Sequence, residues 1–155
     1  MPDETTTQPQ IKVSALREGT VIDHLAAGTA LKALDVLGIE HDGAVMIGMF
    51  LESGKAGSKD IIKIENREVT PHEVSKIALI SPRATFSIIR DFQVHDKFKP
   101  TLPEYVENLI RCSNPSCIST QTDIATKFIV MRPDPLKVRC FYCERAFKKE
   151  EIELL

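Results

Sequence analysis

Alternating apolar and polar residues in the first two thirds of the chain predict strands separated by helices. Residues 13–25 have the pattern of an extended strand, and from Ala27 the apolar positions recur at helical spacing until Gly38, a residue type that favours helix C-caps. Residues 45–51 alternate as a strand, and residues 59–65 form the next one after a glycine-containing turn. This stretch predicts the order strand, helix, strand, strand.

A second helix is predicted by the clearest start signal in the chain. Thr70 is an N-cap residue, Pro71 occupies the first helical position, and Glu73 completes a capping box. Val69 and Val74 flank the cap as a hydrophobic staple, which fixes the angle at which the chain enters the helix.

The segments after this helix complete the predicted fold. Residues 85–98 have the pattern of one long strand, so the order matches a ferredoxin-like sandwich, with two helices on one face of a four-stranded sheet. Two prolines in residues 99–103 predict a domain boundary. We therefore expect an α+β chain with a disordered tail at residues 1–10, a sandwich domain at residues 11–99 and a small all-β domain at residues 100–155.

Composition narrows the class of protein. The chain is 43% hydrophobic and 27% charged, values typical of a globular protein, and it has no apolar run long enough to span a bilayer. The net charge of −2, with a nearly neutral segment from Lys99 onward, gives no general attraction to nucleic acid. The sequence shows neither a glycine-rich phosphate loop before a helix nor a nucleophile beside a base, which favours a non-catalytic binding or scaffolding protein.

Four cysteines are the strongest chemical signal. Cys112 and Cys117 form a C-x4-C motif, and Cys140 and Cys143 form a C-x2-C motif after a hairpin-sized insert. Four thiolates suit a closed tetrahedral zinc site, so the all-β domain is predicted to be a rubredoxin-like zinc ribbon. Two disulfides are the alternative, but residues 1–10 show no secretory signal, which favours a reducing, cytoplasmic compartment.

Two lysines on one predicted strand suggest a ligand-binding face. Lys59 and Lys63 share a face with Ile61 because side chains alternate along a strand, and they lie about 13 Å apart at strand rise, enough to bracket a nucleotide. A solvated strand face is the alternative. Asp23 and His24 could bind ribose hydroxyls or phosphate, or could satisfy a turn.

Several motifs, in order along the chain, resemble the regulatory chain of aspartate carbamoyltransferase. They are Arg-Glu-Gly-Thr-Val-Ile-Asp-His at residues 17–24, Gly-Ser-Lys-Asp-Ile-Ile-Lys-Ile-Glu-Asn at residues 57–66, Pro-Thr-Leu-Pro-Glu at residues 100–104, and the two cysteine motifs with Ile-Ser after the first and Glu after the second. The resemblance covers both predicted domains. It implies a non-catalytic subunit that controls pyrimidine biosynthesis.

The resemblance also implies an allosteric nucleotide site in the first domain. In the family this domain binds nucleoside triphosphates, with CTP or UTP as inhibitors and ATP often opposing them. Carried over residue by residue, the site consists of Val13, Ala15, Leu16, Val21, Asp23, His24, Lys59, Ile61, Lys63, Ser87, Ile89, Phe92, Val94 and Lys97. Ser14, Ser87 and Phe92 replace an acidic residue, an asparagine and a tyrosine that are common in the family, which bears on base preference.

Two of these positions also predict an irregular strand. If Ile89 and Val94 face one site, strict alternation must break between them, so we expect a bulge near residues 90–91.

The resemblance further implies an assembly. The zinc domain is expected to dock onto the catalytic chain, with Asn114 and Glu144 at the contact. Regulatory chains are expected to pair as homodimers that link catalytic trimers in a dodecamer of six catalytic and six regulatory chains. The implied ligands are one structural zinc per chain and nucleoside triphosphates, without nucleic acid or membrane. A free-standing zinc ribbon that binds nucleic acid is the competing class, and the nearly neutral ribbon argues against it.

Overall fold

A computed structural model describes residues 15–38, 43–54 and 57–155. The predicted tail, Val13 and Ser14 lie outside the described residues. The first part of the fold, termed the sandwich, has seven elements. They are β1 (Gly19–Ala26), α1 (Ala30–Leu37), β2 (Val45–Ser53), β3 (Gly57–Glu65), α2 (Pro71–Ile80), β4 (Thr85–Arg90) and β5 (Gln93–Phe98).

The strands of the sandwich form one antiparallel sheet in the order β2-β3-β1-β4-β5. The order of the first four strands is that of a ferredoxin-like fold, so the predicted fold class is confirmed. The sheet has five strands, because residues 85–98 form a hairpin and the prediction of one long strand was wrong. Asp91 and Phe92 form its two-residue turn with φ of 49° and 63°, the positive values that match the twist of a tight hairpin.

The predicted bulge near residues 90–91 was also misplaced. The direction of the chain reverses there, and Ile89 pairs directly with Val94 across the hairpin. The register shift lies one step earlier, where Ile88 pairs with Asp96 and His95 is the extra residue. The two apolar residues therefore share a face because they are cross-strand partners.

Helix α1 begins three residues later than predicted. Strand β1 continues to Ala26, and the connecting turn contains Gly28 at φ 85°, a conformation that glycine adopts without steric cost. Helix α2 is as predicted, because Thr70 Oγ1 accepts a hydrogen bond from Glu73 N and Glu73 Oε2 accepts one from Thr70 N. Both helices cover the same face of the sheet. The buried core between helices and sheet consists of Ile22, Leu25, Ala30, Ala33, Leu34, Leu37, Ile62, Ile64, Ile77, Ala84 and Phe86.

The second part, termed the ribbon, is built from short strands around the cysteines. It has a four-stranded sheet in the order β10-β9-β8-β6 and a two-stranded pair of β11 with β7. The elements are β6 (Tyr105–Glu107), β7 (Ile110–Arg111), α3 (Ile118–Gln121), β8 (Lys127–Pro133), β9 (Leu136–Cys140), β10 (Ala146–Lys148), a 3-10 turn (Lys149–Glu151) and β11 (Glu153–Leu154). The predicted domain boundary at residues 99–103 stays a prediction.

One helix contributes to both cores. Ile77 of α2 is buried in the core of the sandwich, whereas Leu79, also fully buried, packs with the apolar cluster of the ribbon. Arg83, just after α2, pairs with Asp134 of the ribbon at 2.9 Å (Nε to Oδ2). The two parts therefore share a packed junction along α2.

Among the described residues, no helix is both long and apolar enough to cross a membrane.

Candidate functional site

The structure brings the four predicted metal ligands together. The sulfur atoms of Cys112, Cys117, Cys140 and Cys143 all lie within 4.8 Å of one another. The distances from Cys112 Sγ to Cys143 Sγ and from Cys117 Sγ to Cys140 Sγ are both 3.7 Å, far longer than the roughly 2.05 Å of a disulfide. Four thiolates bound tetrahedrally to zinc at about 2.3 Å would be separated by about 3.8 Å. The arrangement therefore fits a four-thiolate metal ion and excludes the disulfide alternative.

Backbone hydrogen bonds and burial set the acidity of these thiols. Burial raises the pKa of Cys112 far above its usual value, despite a backbone hydrogen bond from Asn114. For Cys143 burial also acts to raise the pKa, but hydrogen bonds from the backbone of Arg145 and from the side chain of Asn114 lower it to about 7. Each cysteine loop thus directs N–H groups at sulfur, as a thiolate ligand requires.

The two residues predicted to contact the catalytic chain, Asn114 and Glu144, differ in their exposure. The side chain of Asn114 is only 8% exposed, and its Oδ1 accepts a hydrogen bond from Ser116 N at 3.1 Å, so it also braces the cysteine loop. Glu144 is exposed and has φ 61°. The left-handed backbone there turns the second loop after Cys143.

An aromatic cluster borders the second cysteine loop. Lys127 Nζ lies 4.7 Å from the ring centre of Tyr105 and 4.8 Å from that of Phe141, distances at which cation–π attraction applies. The ring of Phe141 also meets Tyr142 edge to face at 5.4 Å, and the Tyr142 hydroxyl donates to Ala125 O at 3.0 Å. Cross-strand and loop contacts of this kind could not be read from spacing alone.

Several predicted nucleotide-site residues line one row across the open face of the sandwich sheet. Val21 of β1 pairs with Lys63 of β3 on one side and with Ser87 of β4 on the other, and Ser87 pairs with Lys97 of β5. Directly paired residues in antiparallel strands share a face. The neighbouring residues Ile22, Ile62, Phe86 and Phe98 point to the helices, with the first three wholly buried. The row therefore lies on the face opposite the helices.

An ion pair lies beside this row. Lys59 Nζ is 2.8 Å from Asp23 Oδ1 and 3.1 Å from Asp23 Oδ2. Partial burial acts to raise the pKa of Asp23, but hydrogen bonds from Lys59 and from the backbone N–H of His24 outweigh it and hold that pKa below its usual value. Asp23 is therefore an ionised acceptor at neutral pH. His24 Nδ1 lies 3.2 Å from Thr85 Oγ1.

The other predicted positions are distributed around the row. Ile89 and Val94 form the next cross-strand pair on the same face, and Phe92 is 65% exposed in the hairpin turn. In the loop before β1, Leu16 is buried, with 6% of its surface exposed, and Ala15 is exposed. The remaining residue, Ile61, lies on β3 between the two lysines of that strand. The binding roles of all these residues stay predictions.

Sequence reasoning missed Asp60, which is wholly buried beneath the same sheet. Its Oδ1 accepts a hydrogen bond from Phe50 N at 2.9 Å, and its Oδ2 accepts one from Ala30 N at 3.0 Å. A signal was present in the sequence. Asp60 has the same parity along β3 as Ile62 and Ile64, which places a carboxylate on the core side of the strand.

Comparison with known proteins covers both parts of the chain. The model of the allosteric domain of the aspartate carbamoyltransferase regulatory chain matches residues 11–101, and the model of the metal-binding domain matches residues 104–153. The regulatory chain from Pyrococcus horikoshii is 48% identical over 147 residues, covering 93% of this chain and 97% of the relative. The one from Pyrococcus abyssi is 49% identical over 146 residues, covering 92% and 96%. The one from Methanothermobacter thermautotrophicus is 44% identical over 147 residues, covering 93% and 94%.

The motifs, the fold and these comparisons agree over almost the whole chain. They confirm the predicted family and the prediction that this subunit is not itself an enzyme. The chain belongs to the family of aspartate carbamoyltransferase regulatory chains, with an allosteric domain followed by a metal-binding domain.

Proposed function

We propose that this chain binds nucleoside triphosphates on the open face of the sandwich sheet and thereby regulates its catalytic partner. The observation that carries the proposal is the row of Lys63, Val21, Ser87 and Lys97 on four adjacent strands. Three steps between strands separate the two lysines of the row, about 14 Å at ordinary strand spacing. That span suits an elongated anionic ligand such as a nucleoside triphosphate.

The ion pair at the edge of the row supplies complementary groups. Asp23 is an ionised acceptor that can bind two ribose hydroxyls, and Lys59 already lies within 3.1 Å of both its carboxylate oxygens. Ile89 and Val94 add an apolar surface on the same face. The base is assigned to Ala15 and Leu16 in the loop before β1, and the phosphates are assigned to the side of Lys97 and Val94. Lysine ammonium groups attract phosphate as point charges. Polar, charged and apolar groups together match the three chemical parts of a nucleotide.

We further propose that the ribbon holds one zinc ion and docks onto the catalytic chain. The donor set is four thiolates with no open coordination position, so the metal would stabilise structure without taking part in catalysis. The ribbon has a small core, and zinc binding would supply folding free energy. Its four free cysteines suit a reducing, cytoplasmic setting. We place the boundary between the two domains at residues 99–103.

The assembly follows from the same proposal. Asn114 and Glu144 on the two cysteine loops would contact the catalytic chain. Regulatory chains would pair through their sandwich domains, and the pairs would bridge catalytic trimers in a dodecamer of six catalytic and six regulatory chains.

Calorimetric titration of the full chain with CTP, UTP and ATP tests the nucleotide site. Lys63→Ala removes one charge-assisted contact worth about 1.5–3 kcal/mol, so affinity should fall by about one to two orders of magnitude. Lys32→Ala is the matched control, because Lys32 is exposed on α1 on the other side of the sheet. Equal affinities of the two variants would remove Lys63 from the site. Absence of binding of all three nucleotides to the unmodified chain would refute the proposed function.

A further inference from the structure

The two strands that flank β3 both bulge at its middle. On one side Asp23 and His24 of β1 lie opposite the single residue Ile61. On the other side residues 49–50 of β2 lie opposite the single residue Asp60. A bulge of this kind leaves backbone groups outside the regular ladder of hydrogen bonds. Both irregularities therefore depend on local partners to keep their shape.

Asp60 supplies those partners on the core side. Its two carboxylate oxygens accept from Phe50 N, inside the β2 bulge, and from Ala30 N, the first residue of α1. The N-cap residue Thr29 makes no side-chain capping bond. The N–H of Ala30, a donor of the first helical turn, is satisfied instead by Asp60, which is distant in sequence. One buried carboxylate thus fixes the edge strand and the helix start together.

Lys59, the residue before Asp60 on β3, supplies the partner of the β1 bulge on the open face. Successive side chains of a strand point to opposite faces, so Lys59 lies on the open face and pairs with Asp23 of the β1 bulge. A single peptide unit therefore joins the two contacts. A ligand that displaces Lys59 or Asp23 would therefore act on the residue adjacent to Asp60 in the middle of β3.

The backbone conformation of Phe50 depends on its hydrogen bond to Asp60. Phe50 has φ 55° and is 67% exposed on β2, an edge strand of the described sheet. Bulky residues adopt a left-handed backbone only where the surroundings hold them there. The hydrogen bond from its backbone N–H to Asp60 is such a restraint. A small shift of Asp60 should therefore alter the order of the β2 edge.

We propose that Asp60 is a positioning residue that couples effector binding on the open face to the bulge of edge strand β2. The coupling passes from Asp23 to Lys59, through the Lys59–Asp60 peptide, and to the N–H of Phe50. The inference rests on the proposed function, since it requires a nucleotide on the open face. It assigns to a wholly buried carboxylate a role beyond stabilising the fold.

Hydrogen exchange of the full chain, with and without CTP or ATP, tests the coupling in the unmodified protein. The concentrations are set by calorimetry so that the site is saturated. Binding should change the exchange rates of amides in β3 near Lys63 and, in the same titration, of Phe50 and of the first turn of α1, by several-fold or more. Unchanged exchange at Phe50 despite measured binding would overturn the coupling and leave the nucleotide site intact. Absence of binding would overturn both proposals.

Asp60→Asn then tests the residue itself. The amide has the same shape but only one acceptor oxygen, so one of the two N–H groups loses its partner. Nucleotide affinity should change by less than about threefold, because Asp60 does not reach the open face. The nucleotide-dependent change in exchange should be largely lost at Phe50 or at the first turn of α1, whichever loses its acceptor, because the carboxylate no longer holds both N–H groups. A purely structural carboxylate would alter basal exchange but leave the nucleotide-dependent change as it was, which would refute the inference.

Two further variants serve as controls. Asp35→Asn removes an exposed carboxylate from α1 and should leave the nucleotide response at Phe50 unchanged. Phe50→Gly keeps the backbone N–H while removing the aromatic ring and the steric conflict at positive φ. The response of residue 50 to nucleotide should persist in Phe50→Gly, and its loss there would assign the coupling to the ring and overturn the role of Asp60.

Discussion

Leu79→Ala is expected to destabilise the ribbon although Leu79 belongs to a helix of the sandwich. The side chain is fully buried and packs in the same cluster as Val106, Leu109, Ile110 and Phe128. Truncating a wholly buried leucine to alanine costs about 2–5 kcal/mol, because the loss of apolar contact is added to the cost of the cavity that remains. Since the cavity opens on the ribbon side of α2, most of this loss should appear in the ribbon.

Urea unfolding with two readouts measures the effect. Far-ultraviolet circular dichroism follows the whole chain, and a chromogenic chelator follows release of the metal. With a denaturant slope of about 1–3 kcal/mol per molar urea, metal release in Leu79→Ala should move to a midpoint lower by about 1–2 M. Leu31→Ala is the control, because Leu31 is 61% exposed on α1 and its truncation should cost no more than about 0.5 kcal/mol. Equal shifts in the two variants would refute the shared junction.

Three further outcomes are expected. Removing zinc, or introducing Cys140→Ala, should abolish binding to the catalytic chain in a pull-down while calorimetric binding of triphosphates survives; docking without metal would contradict the role of the ribbon. Lys59→Met should raise the pKa of Asp23 measured by NMR titration, because the hydrogen bond from Lys59 that lowers this pKa is lost. Since the pKa of Asp23 lies below its usual value in the folded protein, the unmodified chain should be more stable than Lys59→Met at neutral pH, and this difference in stability should vanish as the pH falls below about 4. A difference that persists in acid would contradict the contribution of the ion pair. Thr70→Ala should lower stability by about 0.5–2 kcal/mol in thermal unfolding, because Glu73 N loses its capping acceptor, and an unchanged melting temperature would show that the cap contributes nothing.

Local signals explain why much of the fold could be predicted from the sequence. The capping box of Thr70 and Glu73 specifies the start of α2 within a few residues, and it forms as predicted. The cysteine motifs specify two loops that can converge on one centre whatever the path between them, and the sulfur atoms do converge. Within the capping box, and within each cysteine loop, the residues that determine the local structure are close in sequence.

The errors concern features that lack a local signal or depend on distant partners. The sequence around Asp91 and Phe92 carries no glycine or asparagine, so it gives no local signal for the tight hairpin turn, and the pattern of residues 85–98 predicts a single strand. The bulges of β1 and β2 were missed because they require Asp60 and Lys59 on β3 as partners. Periodicity within one strand does not reveal what the neighbouring strand will supply.

The positions of the tyrosines provide the chain with an optical label. The sequence contains two tyrosines and no tryptophan, and Tyr105 and Tyr142 both belong to the aromatic cluster of the ribbon beside Lys127 and Phe141. Intrinsic tyrosine emission therefore reports on the ribbon alone, with no background from the sandwich. The cation over Tyr105 and the hydrogen bond of the Tyr142 hydroxyl would both be lost when the ribbon opens. Metal loss and unfolding of the ribbon can thus be followed by fluorescence in the unlabelled protein.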